Sequence, residues 1–263
     1  MIKKELVSNF KNFLVWILVL VIMFLFVYLI YPFIITDENM EAMNEMMNAF
    51  PPEVLKAFNM DMASIDSAYG WFKTEGFMFI LLIIGIYSSI LGGSIVLKEE
   101  SDKTIEYLGF LPIKRKMILT NKIIVSIIYI LSMVVIFGLF NFIALVISGD
   151  FDKKEFLLLS ITPIFVALPL FGLNLLISMF MHKTKKVVGI SLGMVFIFYL
   201  FSVISEMSSN VEFMKYFSIY TFADTRNIMA EGKMNIWIIL ISLALSSLLV
   251  FLSYLKYDKK ELI

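Results

Sequence analysis

Long charge-free apolar runs alternate with polar segments along this chain: Phe13 to Ile35, Gly76 to Leu97, Ile123 to Ile147, Phe156 to Met181, Val187 to Ser205 and Asn235 to Leu255. Each is near or above the ~20 residues that a helix needs to cross ~30 Å of hydrocarbon. The runs are continuously apolar instead of alternating, which disfavours a β-barrel. The predicted fold is therefore an all-α polytopic membrane protein with six transmembrane helices, a single domain over 1–263. Its parts are an amphipathic interfacial helix at 1–12, spans at about 13–35, 76–97, 118–147, 156–181, 187–206 and 235–255, external loops at 36–75 and 207–234 carrying short helices, and a charged segment at 98–117. The first run is too long and too aromatic for a cleaved signal peptide and reads as a retained helix. Pro163 and Pro169 interrupt the fourth run, a break that neighbouring helices can absorb inside a bundle.

Composition agrees with this reading: 60% of residues are hydrophobic, and mean hydropathy is +0.90. Soluble domains hold roughly 45–50% apolar residues. Net charge is zero, but its distribution is lopsided. Lys3, Lys4, Lys11, Lys98, Lys103, Lys114, Arg115, Lys116, Lys122, Lys183, Lys185, Lys186, Lys256, Lys259 and Lys260 fall on the side of the two ends of the chain. The opposite side holds about half as many basic residues, and most of the acids. Lysine and arginine mark cytoplasmic loops, so both termini are expected in the cytoplasm, at the plasma membrane.

The two large external segments differ in character. Met40, Met43, Met46, Met47 and Phe50 recur at helical spacing before Pro51-Pro52, as in a helix lying on headgroups or gripping an apolar substrate. The segment after span 5 gathers Phe213, Met214, Tyr216, Phe217, Tyr220 and Phe222, residues that seek the membrane interface.

Enzymatic chemistry finds no foothold. The chain has no cysteine and one histidine, His182, so no thiolate or HExxH metal site can form, and no catalytic residue or metal ligand is proposed. Glu99-Glu100 resembles the glutamate pair of membrane proteases, but the supporting histidines are missing. No GxxxxGK[ST] phosphate loop occurs, so the chain should bind no ATP of its own. Energised work would need an ion gradient or a separate ATPase. A gradient-driven carrier calls for ionisable groups deep in its spans. The six apolar runs contain none, offering only Asn141, Asn174, Thr162 and serines suited to interhelical hydrogen bonds.

The segment Lys98 to Met117, KEESDKTIEYLGFLPIKRKM, is the main clue to function. Ser101 can cap a helix with Glu99, Glu100 and Asp102 near its positive end. Ile105, Leu108 and Leu111, with Tyr107 and Phe110 alongside, give that helix an apolar face. Pro112 stops it and can open the next one, and Lys114, Arg115 and Lys116 follow at headgroup level. The run Glu99-Glu100, Thr104, Glu106, Leu108, Pro112, Arg115, Lys122 resembles the cytoplasmic stretch of ABC-2-type transporter permeases, E-x-GT-x-E-x-L-x-x-x-P-x-x-R followed by a lysine. Lys103 stands where the family has glycine.

The resemblance implies that Glu99, Glu100, Thr104, Ile105, Glu106, Tyr107, Leu108, Phe110, Leu111, Pro112 and Arg115 form a coupling helix docking on a cytoplasmic ABC ATPase. His182, Lys183 and Lys185 would be a secondary contact. ATP and magnesium would sit on two copies of that partner. In the family the N-terminal helix, here marked by Ile2, Leu6, Phe10 and Phe13, lies along the cytoplasmic face. A second permease copy is expected, as homodimer or heterodimer, and no nucleic-acid partner. Gly85, Ser89 and Gly93 form a small-residue stripe suited to helix packing, and Gly189 and Gly193 form a similar pair.

The expected function is export of a hydrophobic or amphipathic substrate such as a peptide toxin, antimicrobial peptide, drug or lipid. By analogy with family members of low-GC Gram-positive bacteria, phenol-soluble-modulin-like peptides are candidates. The alternatives are a gradient-driven carrier and a membrane anchor or immunity subunit that moves nothing.

Overall fold

The computed structural model describes residues 2–34, 36, 41, 45, 49–51, 55, 67–101, 114–149, 151–223 and 225–260. The described residues form helices and turns, with no strand among them, and six helices are long and apolar enough to cross a membrane. Span 1 is Ile2–Ile34, span 2 Phe77–Ser94, span 3 Arg115–Ser148, span 5 Thr184–Met207 and span 6 Ile236–Tyr257. Span 4 is built from two pieces, Lys153–Ile161 and Pro163–Ser178, with a turn at Thr162. The break falls where Pro163, lacking an N–H, is tolerated as the first residue of a new helix, while Pro169 lies within the second piece.

The amphipathic lead and the first apolar run are one uninterrupted helix of 33 residues. At 1.5 Å per residue it is about 50 Å long, well beyond the ~30 Å hydrocarbon thickness. Its buried positions, Glu5, Asn9, Phe13, Leu20 and Val27, form a narrow seam at steps of four and seven. Val7, Phe10, Leu14, Leu18, Ile22 and Leu25 point away from the bundle, as lipid-facing side chains do. Phe13 sits between the rings of Tyr87 (6.2 Å) and Tyr129 (4.7 Å), which pins the seam to spans 2 and 3.

Spans 2 and 4 make the centre of the bundle and are the most enclosed, while spans 1, 5 and 6 leave most of their surface bare. Span 4 packs along spans 2 and 6, and span 5 along span 2. Small residues permit this closeness. A Cβ on Gly92 would collide with the Phe171 carbonyl oxygen of span 4, and one on Gly93 would approach Val187 Cγ1 to 2.6 Å and Ser191 Oγ to 3.0 Å. The stripe on span 2 thus faces helices of the same chain. A Cβ on Gly189 or Gly193 of span 5 would meet nothing within 4 Å.

Buried polar groups within the spans mostly bond back along their own helices. Asn174 Nδ2 donates to Leu170 O (2.9 Å) and Asn141 Nδ2 to Phe137 O (2.9 Å), each one turn earlier. Contacts that cross between spans include Tyr28 hydroxyl to Asn141 Oδ1 (3.3 Å), Ser242 hydroxyl to Phe165 O (2.6 Å) and the Thr120 and Tyr254 hydroxyls (2.7 Å).

At the end of the bundle remote from Ile2 and Lys260, Asp152 caps span 4 by accepting from the amides of Lys154 (2.8 Å) and Glu155 (3.1 Å). An aromatic cluster of Tyr69, Phe72, Phe142, Phe151 and Phe156 fills the space beside it. Past span 5 the chain makes two 3-10 turns, Glu212–Phe217 and Ile219–Ala223, then a short helix, Thr225–Glu231. Phe213, Tyr216 and Phe217 are exposed there, as interface-seeking side chains should be, but Tyr220 is buried against the Tyr199 ring (5.7 Å).

Candidate coupling site at the face carrying both termini

Span 2 ends at Ser94, and after a turn one further helical turn, Lys98–Ser101, leads toward the charged segment. Successive residues of a helix point about 100° apart, so its two adjacent glutamates reach different neighbours. Glu99 turns toward span 3, where its Oε1 accepts a hydrogen bond from Lys122 Nζ. That ammonium is 1% exposed, and it also donates to Ile95 O (2.8 Å) and pairs with Glu5 Oε1 of span 1 (3.2 Å). Glu100 turns the other way and is itself buried. Its Oε1 lies 2.8 Å from Lys260 Nζ and its Oε2 3.4 Å from His182 Nδ1.

Lys260, just past span 6, donates to Ser178 O (3.2 Å) and Met181 O (2.9 Å) at the end of span 4. Lysine at this position does what a cation does at any helix C-terminus: it satisfies carbonyls that have no amide partner. Burial pulls the Lys260 pKa below its ordinary value, and the hydrogen bond and charge of Glu100 oppose that shift. Arg115, first residue of span 3, donates through Nη1 to Lys260 O (3.0 Å) and so ties span 3 to the segment after span 6.

Hydrogen bonds outside the ion pairs complete the junction. Lys98 Nζ donates to Ser8 Oγ (2.6 Å) and Ser8 O (3.1 Å) of span 1. Ser101 Oγ meets Thr184 Oγ1 (2.5 Å) at the start of span 5. Tyr129 of span 3 donates its hydroxyl to Leu6 O. One helical turn therefore touches or is held by all the other spans, either directly or through Lys122 and Lys260.

Of the residues expected to couple, Glu99, Glu100 and Arg115 meet in this junction. Thr104, Ile105, Glu106, Tyr107, Leu108, Phe110, Leu111 and Pro112 lie outside the described residues, as do Met40, Met43, Met46 and Met47. His182 joins through Glu100 with its ring half exposed, while Lys183 and Lys185 are exposed beside it. Ser101 ends the described helical turn and its hydroxyl meets that of Thr184, while the helix it is expected to cap lies outside the described residues. Glu99 and Glu100 hold buried ammonium groups.

Glu5, Lys98, Lys122, Thr184 and Lys260 are members of the junction that sequence reasoning did not single out as site residues. A usable signal existed: Glu5, Glu99 and Glu100 are acids on a face dominated by lysine, Glu99 and Glu100 just past the end of an apolar run and Glu5 in the amphipathic lead to another, where an unpaired carboxylate would be costly.

A model of the ABC-2 family transporter proteins matches residues 1–262, and the chain belongs to that family. It is accordingly a multi-pass membrane permease domain without an ATPase site or cofactor of its own, and the family works with an ATPase partner. Among curated proteins, none matches it.

Proposed function

We propose that this chain is the permease subunit of an ATP-driven exporter that moves a hydrophobic or amphipathic substrate, a peptide, drug or lipid, out of the cell. Two cytoplasmic ATPase subunits, carrying the ATP and magnesium, drive a pair of permease chains. The carrying observation is the junction at Glu99 and Glu100, which lies directly ahead of the segment 102–117. A push that reaches this turn is passed to spans 1, 3, 4, 5 and 6, because the turn is tied to them by ion pairs and hydrogen bonds. In this reading Thr104 to Leu111 touch the ATPase, with His182, Lys183 and Lys185 as a second contact. Both termini are cytoplasmic, in keeping with the lysine distribution.

Gly189 and Gly193 offer span 5 as the contact with a second permease copy, while Gly85, Ser89 and Gly93 serve packing within one chain. An amphipathic-peptide cargo of the phenol-soluble-modulin kind fits the Phe-, Met- and Leu-rich walls and the low-GC Gram-positive host that the Lys-, Ile- and Phe-rich composition suggests. The decisive experiment is co-purification with the ATPase encoded alongside it. Leu108→Asp should weaken the complex about tenfold, the equivalent of ~1.4 kcal/mol, and abolish transport; an unchanged complex with unchanged transport would remove the coupling assignment. The chain is free of cysteine, so single cysteines at Lys56 and Lys103 read its topology. An impermeant maleimide should label position 56 but not 103 in intact cells.

A further inference from the structure

At the end of the bundle opposite the ion-paired junction lies a cavity of about 900 Å³. Its walls come from spans 2, 5 and 6, and the 3-10 turns after span 5 border it. It exists because span 5 packs on span 2 and span 6 on span 4, so that spans 5 and 6 diverge instead of packing on each other. Its volume lies near the top of the roughly 300–1,000 Å³ range of small-molecule sites.

Two zones line it. Phe77, Met78 and Leu81 of span 2 with Ile238 and Ile241 of span 6 supply an apolar zone. Ser202, Ser205 and Ser209 bring hydroxyls from the end of span 5 and the turn beyond it. The charged side chains on the lining are already engaged within the protein. Lys73 pairs with Glu155 (3.2 Å), Lys215 with Glu212 (2.6 Å), and Glu206 has interactions of its own. What remains for a guest is hydrogen bonding without net charge. The Tyr220 hydroxyl is packed against Gly85 of span 2, where it leaves no room for a Cβ, so the donors that a guest's acceptor oxygen can reach are the lining hydroxyls of Ser202 and Ser209.

We infer that this cavity binds a single-chain amphiphile, an apolar tail bearing a zwitterionic or neutral head with acceptor oxygens. The inference rests on the exporter reading for its place in a transport cycle, where the cavity is the outward-facing station of an amphiphilic cargo, but not for the binding itself. The same chemistry could arrive from the outer leaflet as a single-chain lipid or from inside as cargo.

The test uses the complete permease–ATPase complex in vesicles with a diazirine-tailed single-chain phosphocholine, its crosslinks mapped by mass spectrometry. Crosslinks should concentrate on spans 2, 5 and 6 at the lining residues, and Ser202→Trp should reduce them at least about tenfold. Met78→Trp, filling the cavity from another wall, guards against a folding defect in the first variant, and the map in the unaltered protein stands without either. Labelling by externally added probe without ATP identifies a leaflet source; labelling from probe loaded inside that requires ATP identifies cargo. Crosslinks spread over the lipid-facing residues, or unchanged in both folded variants, overturn the site. Export without cavity labelling overturns the site and leaves the exporter reading intact, whereas cavity labelling in a complex that exports nothing does the reverse.

Discussion

At the end carrying Ile2 and Lys260, Lys122 and Lys260 are almost wholly shielded from solvent and held by three glutamates and backbone carbonyls; at the other end, Lys215 pairs with Glu212 in contact with solvent beside an open cavity. The same residue types thus do different physical work. A pair in water gains ~0–1 kcal/mol and can rearrange freely. A buried pair contributes little net stability over an apolar substitute, yet breaking it strands a charge at a cost of about 3–5 kcal/mol. Separating the pairs of the junction would therefore strand a buried charge, while the cavity end has room to change shape. A lever needs the first property and a place for passing cargo needs the second.

The contrast can be broken most severely at Lys122. Lys122→Ala leaves Glu5 and Glu99 without their cation and should cost about 3–5 kcal/mol. Thermal unfolding in detergent measures this, and a wild-type melting temperature would mean that the ammonium is dispensable. Gly92→Leu probes the floor both ends share, where span 2 touches the backbone of span 4. Overpacking there should cost roughly 1–3 kcal/mol, and an unaltered melting curve would contradict the close approach. Lys215→Ala, the counterpart of the Lys122 change at the other end, should stay within ~0.5 kcal/mol of wild type. A large loss there would erase the difference between the ends.

The smallest expected effect is a slope. Lys260 has a folded pKa below its ordinary 10.5, so between the two values the unfolded chain binds more protons than the folded one. This group alone therefore makes stability rise with pH through that window, and below it the destabilising part of its burial is fully present. Lys260→Met should flatten the alkaline slope relative to wild type; parallel curves would show that burial leaves its titration untouched.

The six helices were legible because apolar length is a local property: a run of some twenty residues announces itself without knowledge of its neighbours. The break in span 4 was legible for the same reason, since Pro163 carries its constraint with it, whereas Pro169, also expected to interrupt the run, lies within a continuous helix. The junction was not. Lys122 sits at the edge of an apolar run, and a lysine there reads as one that snorkels to the headgroups. Its actual environment depends on Glu5 and Glu99, whose approach is fixed by bundle geometry and not by spacing. The contact of the Ser101 hydroxyl with Thr184 was hidden in a related way, because it joins residues far apart in the chain. The resemblance to ABC-2 permeases was visible in the order of Glu99, Thr104, Glu106, Leu108, Pro112 and Arg115, and the family match spans residues 1–262.

The separation of the junction's members along the chain has a consequence for biogenesis. Glu5 emerges from the ribosome long before Lys122, and Glu100 long before Lys260, so each carboxylate must wait in water or among headgroups for its cation. Contacts of such high sequence separation form late and carry a heavy loop-closure cost. The bundle can insert helix by helix, but the junction closes only after span 6 has entered. A chain cut at Tyr257 would keep all six spans and still leave Glu100 without Lys260, a loose end and not a missing helix.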